Sequence, residues 1–209
     1  MKYSEQAAEL IDLLDRDQEE WKESAKTELS KELAADDLQS LNKILREKVT
    51  IRGKRALDIL DEIGGAPSLD NIGPEAAIAL SILATHYSLG ATKQVLAAFE
   101  ACYLQSPANT QLTSIPAMTD LIEVAERRPQ KFGTIWLFDE NNYPFLPAVV
   151  DFQNTNKRRA VYSIGTLRWP KSLAIPESAQ PWLHRPISAV NMRPPTEEEL
   201  KAFCDRMLA

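Results

Sequence analysis

The chain has 209 residues but only two histidines, His86 and His184, so each could carry a distinct chemical role. His86 ends the apolar run "AAIALSILATHY", and Gln94 follows it eight residues later. An unperturbed imidazole titrates near pH 6.5 or so, which suits it to general base or general acid work. The same residue serves equally well as a core histidine bonded to a backbone carbonyl. Asp120, in "AMTDLIEVAERRPQ", has Ala117, Leu121 and Val124 about it. It reads either as a buried carboxylate paired with His86 or an arginine, or as an exposed helix aspartate. Near the N-terminus, Gln18 lies four residues after Leu14 and three before Trp21, inside an apolar stripe, with Asp17 at the stripe's edge. A polar group on a buried face needs a hydrogen-bond partner. Arg158 and Arg159 present planar forks suited to a carboxylate or phosphate; the alternative is one solvated arginine and one structural salt bridge.

These residues need elements to position them. Residues 3 to 27 read as an amphipathic helix, with Ala7, Leu10, Ile11, Leu14 and Trp21 on one face. Residues 36 to 64 read as two helices, the second ending at Gly64-Gly65 with Pro67 beyond. Gly73-Pro74 opens a helix over about 74–87 that is apolar almost all round and therefore central. Two more helices are expected at about 91–104 and 116–127. A β-hairpin is then expected at about 131–150, with Phe132, Thr134, Trp136 and Phe138 on one face of its first strand. Pro147 weakens the return strand. "NTNKRRAVYSIG" is either a third strand or a short helix capped by Asn154 or Thr155. The segment 166–195 holds six prolines together with Trp169, Trp182 and His184, and reads as an ordered arm. A helix capped by Thr196 and Glu199 closes the chain. The expected architecture is mainly α (α+β): a single helical domain, 1–165, with a small hairpin, then a Pro-rich arm and C-terminal helix over 166–209.

Composition narrows the function classes. A hydrophobic share of 44% with 26% charged residues is ordinary for a globular protein. The net charge of −6, without a dominant basic cluster, disfavours nucleic acid and an anionic membrane surface. The acidic N-terminus lacks a signal-peptide core, and the longest apolar run is too short to span a bilayer. Cys102 and Cys204 lack metal spacing and read as reduced thiols in a cytoplasm. Neither a Gly-rich phosphate loop, HExxH, CxxC nor GxSxG is present, so no metal site and no cofactor is expected.

The order "DRDQ", then His-x7-Gln after an apolar helix, then Asp-x9-Gln followed by aromatic-Gly-Thr, resembles a bacterial family, the domain-of-unknown-function family numbered 6624. The matching positions are Asp17, Gln18, His86, Gln94, Asp120, Gln130, Phe132, Gly133 and Thr134. "DFQNTNKRRAVYSIGTL" is similar to the family's closing segment, with Asp151, Arg158, Arg159 and Gly165 in the matching places, and this favours the helix reading of residues 155 to 163. The resemblance covers roughly residues 8 to 168. It departs from the family at Thr85 and Ile135, where glutamines are usual, and in "GGAP", where Gly-Trp-Pro is usual.

The resemblance implies that Gln18, His86, Gln94, Asp120, Gln130 and Thr134 meet in one polar pocket. Such a set, able both to donate and to accept, fits a small polar ligand. In this expectation His86 is the general acid or base, Asp120 or Asp17 orients it, and Gln18, Gln94, Gln130 and Thr134 hold the ligand. Arg158 or Arg159 meets an anionic group. The alternative expectation is a cytosolic interaction module of immunity or regulatory type, binding a protein partner through its acidic surface or its Pro-rich arm.

Overall fold

The computed structural model describes residues 1–29, 35–138, 144–145, 149–165 and 167. Among them the chain is mainly helical: α1 (Ser4–Leu29), α2 (Ala35–Glu62), α3 (Leu69–Tyr87), α4 (Leu89–Gln105), α5 (Ser114–Ala125) and α6 (Thr155–Val161). Met1–Gln111 form one compact unit, and the described residues from Leu112 onward belong to a second. None of the described helices is long and apolar enough to cross a membrane.

In the first unit α3 is packed by α1, α2 and α4. Its sequence explains that place. Ala76, Ala77, Ala79, Leu80 and Ala84 are all fully buried, so small side chains on several faces let three neighbours approach. The helix opens where the sequence indicates. Gly73 takes a left-handed φ of 77°, which interrupts the preceding turn, and Pro74 restarts the helix without needing an N–H donor. Ser88 then ends α3 in an extended conformation, and its hydroxyl accepts from the Ala91 N–H at 3.1 Å to cap α4.

Two expectations about α1 and α2 change. The two helices expected over 36–64 are one continuous helix to Glu62. No proline interrupts it, and Gly53 is accommodated inside it by close packing: a Cβ there would meet the Tyr87 Cβ at 2.2 Å. The backbone of α2 therefore lies directly against the last turn of α3. The helix stops as expected, with the Gly65 N–H donating to the Leu60 carbonyl at 2.8 Å and the Gly64 N–H to Asp61 at 2.9 Å, both glycines at positive φ. Among the described side chains of α1 the buried ones are Ala7, Leu10 and Asp17, while Trp21 is 46% exposed. The inward face thus runs through Asp17 rather than Gln18.

In the second unit α5 buries Ile115, Met118, Ile122 and Val124 around Asp120. It ends in a left-handed residue, Arg127 at φ 60°, with the Arg128 N–H donating to the Glu123 carbonyl at 2.7 Å; Pro129 follows. The expected first strand is not formed over 131–136. Among the described residues Leu137–Phe138 and Pro144–Phe145 pair, antiparallel, as β1 and β2, and Gln130 makes an isolated parallel bridge with Val149. The reason is a competing acceptor. Asp120 takes the amides of Lys131, Phe132 and Thr134, the donors a ladder needs, and Gly133 at φ 67° breaks the extension. Residues 139–143 and 146–148 of the expected hairpin, the arm at 168–195 and the closing helix lie outside the described residues. Residues 155–161 are helical, in keeping with the helix reading.

Candidate functional site

Asp17 has the same helical phase as Ala7 and Leu10, so the turn that buries those residues carries its carboxylate into the first unit, at 0% exposure. Two partners from two other helices meet it there. His86, in the last turn of α3, places Nδ1 2.6 Å from Asp17 Oδ2. Arg52 of α2 donates from Nε to Oδ1 at 3.1 Å, and its Nη2 lies 3.0 Å from the same oxygen. Nη2 reaches it without hydrogen-bond geometry and is buried with no other acceptor. The ion pair is close all the same, since at 3 Å the charges attract whatever the angle. Arg52 Nη1 donates to Glu20 Oε2 at 2.7 Å, and Lys48 donates to Glu20 Oε1 at 3.1 Å.

Burial pushes the Asp17 carboxyl up, but the His86 hydrogen bond and charge, and then Arg52, outweigh it and hold Asp17 below the usual carboxylate range. An ionised carboxylate only accepts. The His86 proton therefore sits on Nδ1, and in the neutral ring Nε2 keeps its lone pair. The His86 side chain is 32% exposed, and the Trp21 indole meets the ring edge-on with centroids 6.0 Å apart. Gln18 is half-buried one position along from Asp17 and makes no side-chain hydrogen bond among the described residues. Gln94 is exposed on α4.

The depressed Asp17 has a consequence for acid stability. A group whose folded value lies below its unfolded one stabilises the fold above the unfolded value, about pH 3.9, and loses that contribution as pH falls through the folded value. Below about pH 4 the unaltered protein is expected to lose its stability advantage over Asp17→Asn, and the two should converge. Thermal unfolding of both proteins from pH 6 to 2 checks this. A constant difference across that range would show that Asp17 is not the group responsible.

The other expected site residues belong to the second unit, where their polar groups hold the loop after α5. Asp120 is fully buried; its Oδ1 accepts from the Lys131 and Phe132 amides at 2.8 and 3.0 Å. Its Oδ2 accepts from the Thr134 amide and hydroxyl at 2.8 and 2.9 Å. The Gln130 carboxamide pairs with the Ile135 backbone on both sides, accepting its N–H at 2.8 Å and donating to its carbonyl at 3.0 Å. Arg158 donates to the carbonyls of Lys131, Val150 and Asp151. Arg159 donates to Gly165 at 2.6 Å and Phe132 at 2.8 Å. Burial pulls the Arg159 guanidinium down from its ordinary value, and Asp120 opposes that. This is a clamp: two arginines and one aspartate close a loop on itself through its backbone.

Arg52, Glu20, Lys48 and Trp21 were not singled out as site residues from the sequence. A signal for Arg52 was present. It falls at helical phase with Ala56, Ile59 and Ile63, all buried, so its charge had to be buried with them and needed a carboxylate. Among the described residues no three His, Cys, Asp or Glu side chains are grouped to hold an ion. No family model matches the chain, and neither a curated protein nor a solved structure does. What the cluster can do follows from its geometry: a carboxylate-oriented imidazole, partly open to solvent, is a proton donor and acceptor.

Proposed function

We propose that the first unit carries a proton-transfer site for a small polar ligand, with His86 as general base or acid and Asp17 as its orienting partner. The observation that supports this is the 2.6 Å bond from the partly exposed His86 ring to a buried, ionised carboxylate. Orientation of one ring nitrogen by a carboxylate aims the other at a reacting proton. Gln18, half-buried beside the pair, offers a ligand both a donor and an acceptor, and Trp21 offers an apolar edge. Arg158 and Arg159 are committed to carbonyls within the second unit, so the ligand proposed is neutral rather than anionic. We propose as well that the chain is a cytoplasmic member of the bacterial family it resembles; the support is the ordered set of Asp17, Gln18, His86 and Gln94.

His86→Ala is expected to reduce turnover of a substrate found by screening small polar metabolites by about 10²- to 10⁴-fold, with the helical circular dichroism unchanged. Arg52 remains beside Asp17 in that variant, so the fold keeps its buried countercharge. Unchanged turnover rules out the proton-transfer role. A second reading, a protein-partner surface, is favoured by Ile44 and Ile51, one heptad apart on α2 and 50% and 68% exposed. A pulldown with the full chain and with the Ile44→Ser, Ile51→Ser double variant tests it: a partner held by the first and lost by the second is the expected result, and recovery of no partner by the full chain counts against it.

A further inference from the structure

We propose that Arg52 is the positioning residue of this site: its fixed charge keeps the Asp17 carboxylate ionised and in place while the His86 ring is neutral, which frees His86 to take up a proton. This rests on the Asp17–His86 reading above and adds a requirement to it.

The requirement comes from burial. The Asp17 side chain is 1% exposed, and a carboxylate so far from water needs a positive neighbour or it takes up a proton. If His86 were that sole neighbour, folding and chemistry would compete for one charge. The ring would be held as imidazolium to keep Asp17 ionised, and an imidazolium cannot act as a base. A guanidinium removes the conflict, because it stays charged at any pH the protein meets.

The geometry divides the work between the two carboxylate oxygens. Arg52 hydrogen-bonds Oδ1 through Nε, with Nη2 in ion-pair range of the same oxygen, and His86 takes Oδ2 alone. Loss of a proton from the ring therefore leaves the other oxygen still paired. Arg52 is itself held, with its side chain 8% exposed and Nη1 on Glu20, and Glu20 is tied to Lys48. The charged group in contact with the ring is Asp17 of α1; behind it, each joined to the next, stand Arg52 of α2, Glu20 of α1 and Lys48 of α2, and Tyr87 is the sequence neighbour of His86 on α3. Within this linked chain two carboxylates are matched by two cations, and His86 sits at its end. The fork geometry explains why the residue is arginine: one planar group reaches both Asp17 and Glu20, which a lysine's point charge does not.

The test uses the full chain and nuclear magnetic resonance of the imidazole nitrogens between pH 4 and 9, with His184→Gln to assign the two rings. Arg52→Gln is expected to keep His86 protonated to higher pH than in the unaltered protein, by at least about 0.5 pH unit, because Asp17 then has the ring as its only cation. Arg52→Lys, which returns a charge beside Asp17 without the span to Glu20, should restore part of the original behaviour. An Arg52→Gln curve superimposable on that of the unaltered protein overturns the proposal. Should Arg52→Gln fail to fold, the Asp17 carboxyl carbon of the unaltered protein gives an independent answer. It should show no protonation step while His86 titrates, and a step there overturns the proposal. Asp17→Asn separates the two claims: if it leaves the His86 titration unmoved, the Asp17–His86 pair itself fails, whereas a response to Asp17→Asn without one to Arg52→Gln removes only the role of Arg52.

Discussion

Asp120→Ala is expected to destabilise the second unit by about 3 to 5 kcal/mol, because three backbone amides and one hydroxyl lose a buried charged acceptor together. The Lys131, Phe132 and Thr134 amides all point at this carboxylate, and its burial leaves no water to replace it. Asp120→Asn keeps the shape but turns an NH2 toward at least one of those donors, so about 2 kcal/mol or more should still be lost. Amide hydrogen exchange gives a residue-resolved check. Protection at 131, 132 and 134 should collapse in the alanine variant, while the amides of α3 keep theirs. If protection at the three positions survives, the loop is held by Arg158 and Arg159 without the aspartate. The same comparison reports on function, since Asp120 acting only within the clamp leaves the His86 titration untouched.

Gly53→Ala should be the most damaging small substitution in the first unit. A methyl group at that position falls 2.2 Å from the Tyr87 Cβ and 2.3 Å from its Cγ, the base of a side chain rather than its movable end. Relief requires α2 and α3 to separate, and overpacking of this kind costs about 1 to 3 kcal/mol or more. The gain of about 1 kcal/mol from replacing a mid-helix glycine does not offset it. The contrast is Gly90→Ala. There the new Cβ meets only the Ser88 hydroxyl, at 3.8 Å, so up to about 1 kcal/mol of stabilisation is expected. Thermal unfolding of the two variants side by side should give shifts of opposite sign; a gain in both would mean that the α2–α3 contact yields easily. Gly53 and Tyr87 are the sequence neighbours of Arg52 and His86. A shift there also moves the two partners of Asp17 apart, so Gly53→Ala should weaken the site as well as the fold.

Much of the helical layout was legible because its signals are local. The Gly64-Gly65 stop, the Gly73-Pro74 opening and the apolar run of α3 all act within a few residues. The break expected inside 36–64 and the strand expected at 131–136 failed for reasons outside those windows. At Gly53 a tyrosine from another helix fills the space a side chain would take. At Lys131, Phe132 and Thr134 a carboxylate 11 to 14 residues earlier removes the donors a strand requires.

The site divides in the same way. Sequence by itself determined which residues could do chemistry: a scarce histidine, a carboxylate in an amphipathic helix, and the amides near them. Residue type sets titration and donor capacity wherever the residue lies. Only the tertiary structure decided the partnerships. It drew Asp17 rather than Gln18 inward, joined it to His86 across 69 positions and to Arg52 across 35, and committed Asp120, Gln130 and both arginines to a loop clamp. A hydrogen bond between side chains so far apart leaves no periodic trace in the chain. It arises from how helices cross, and here the crossing depends on one glycine beneath one tyrosine.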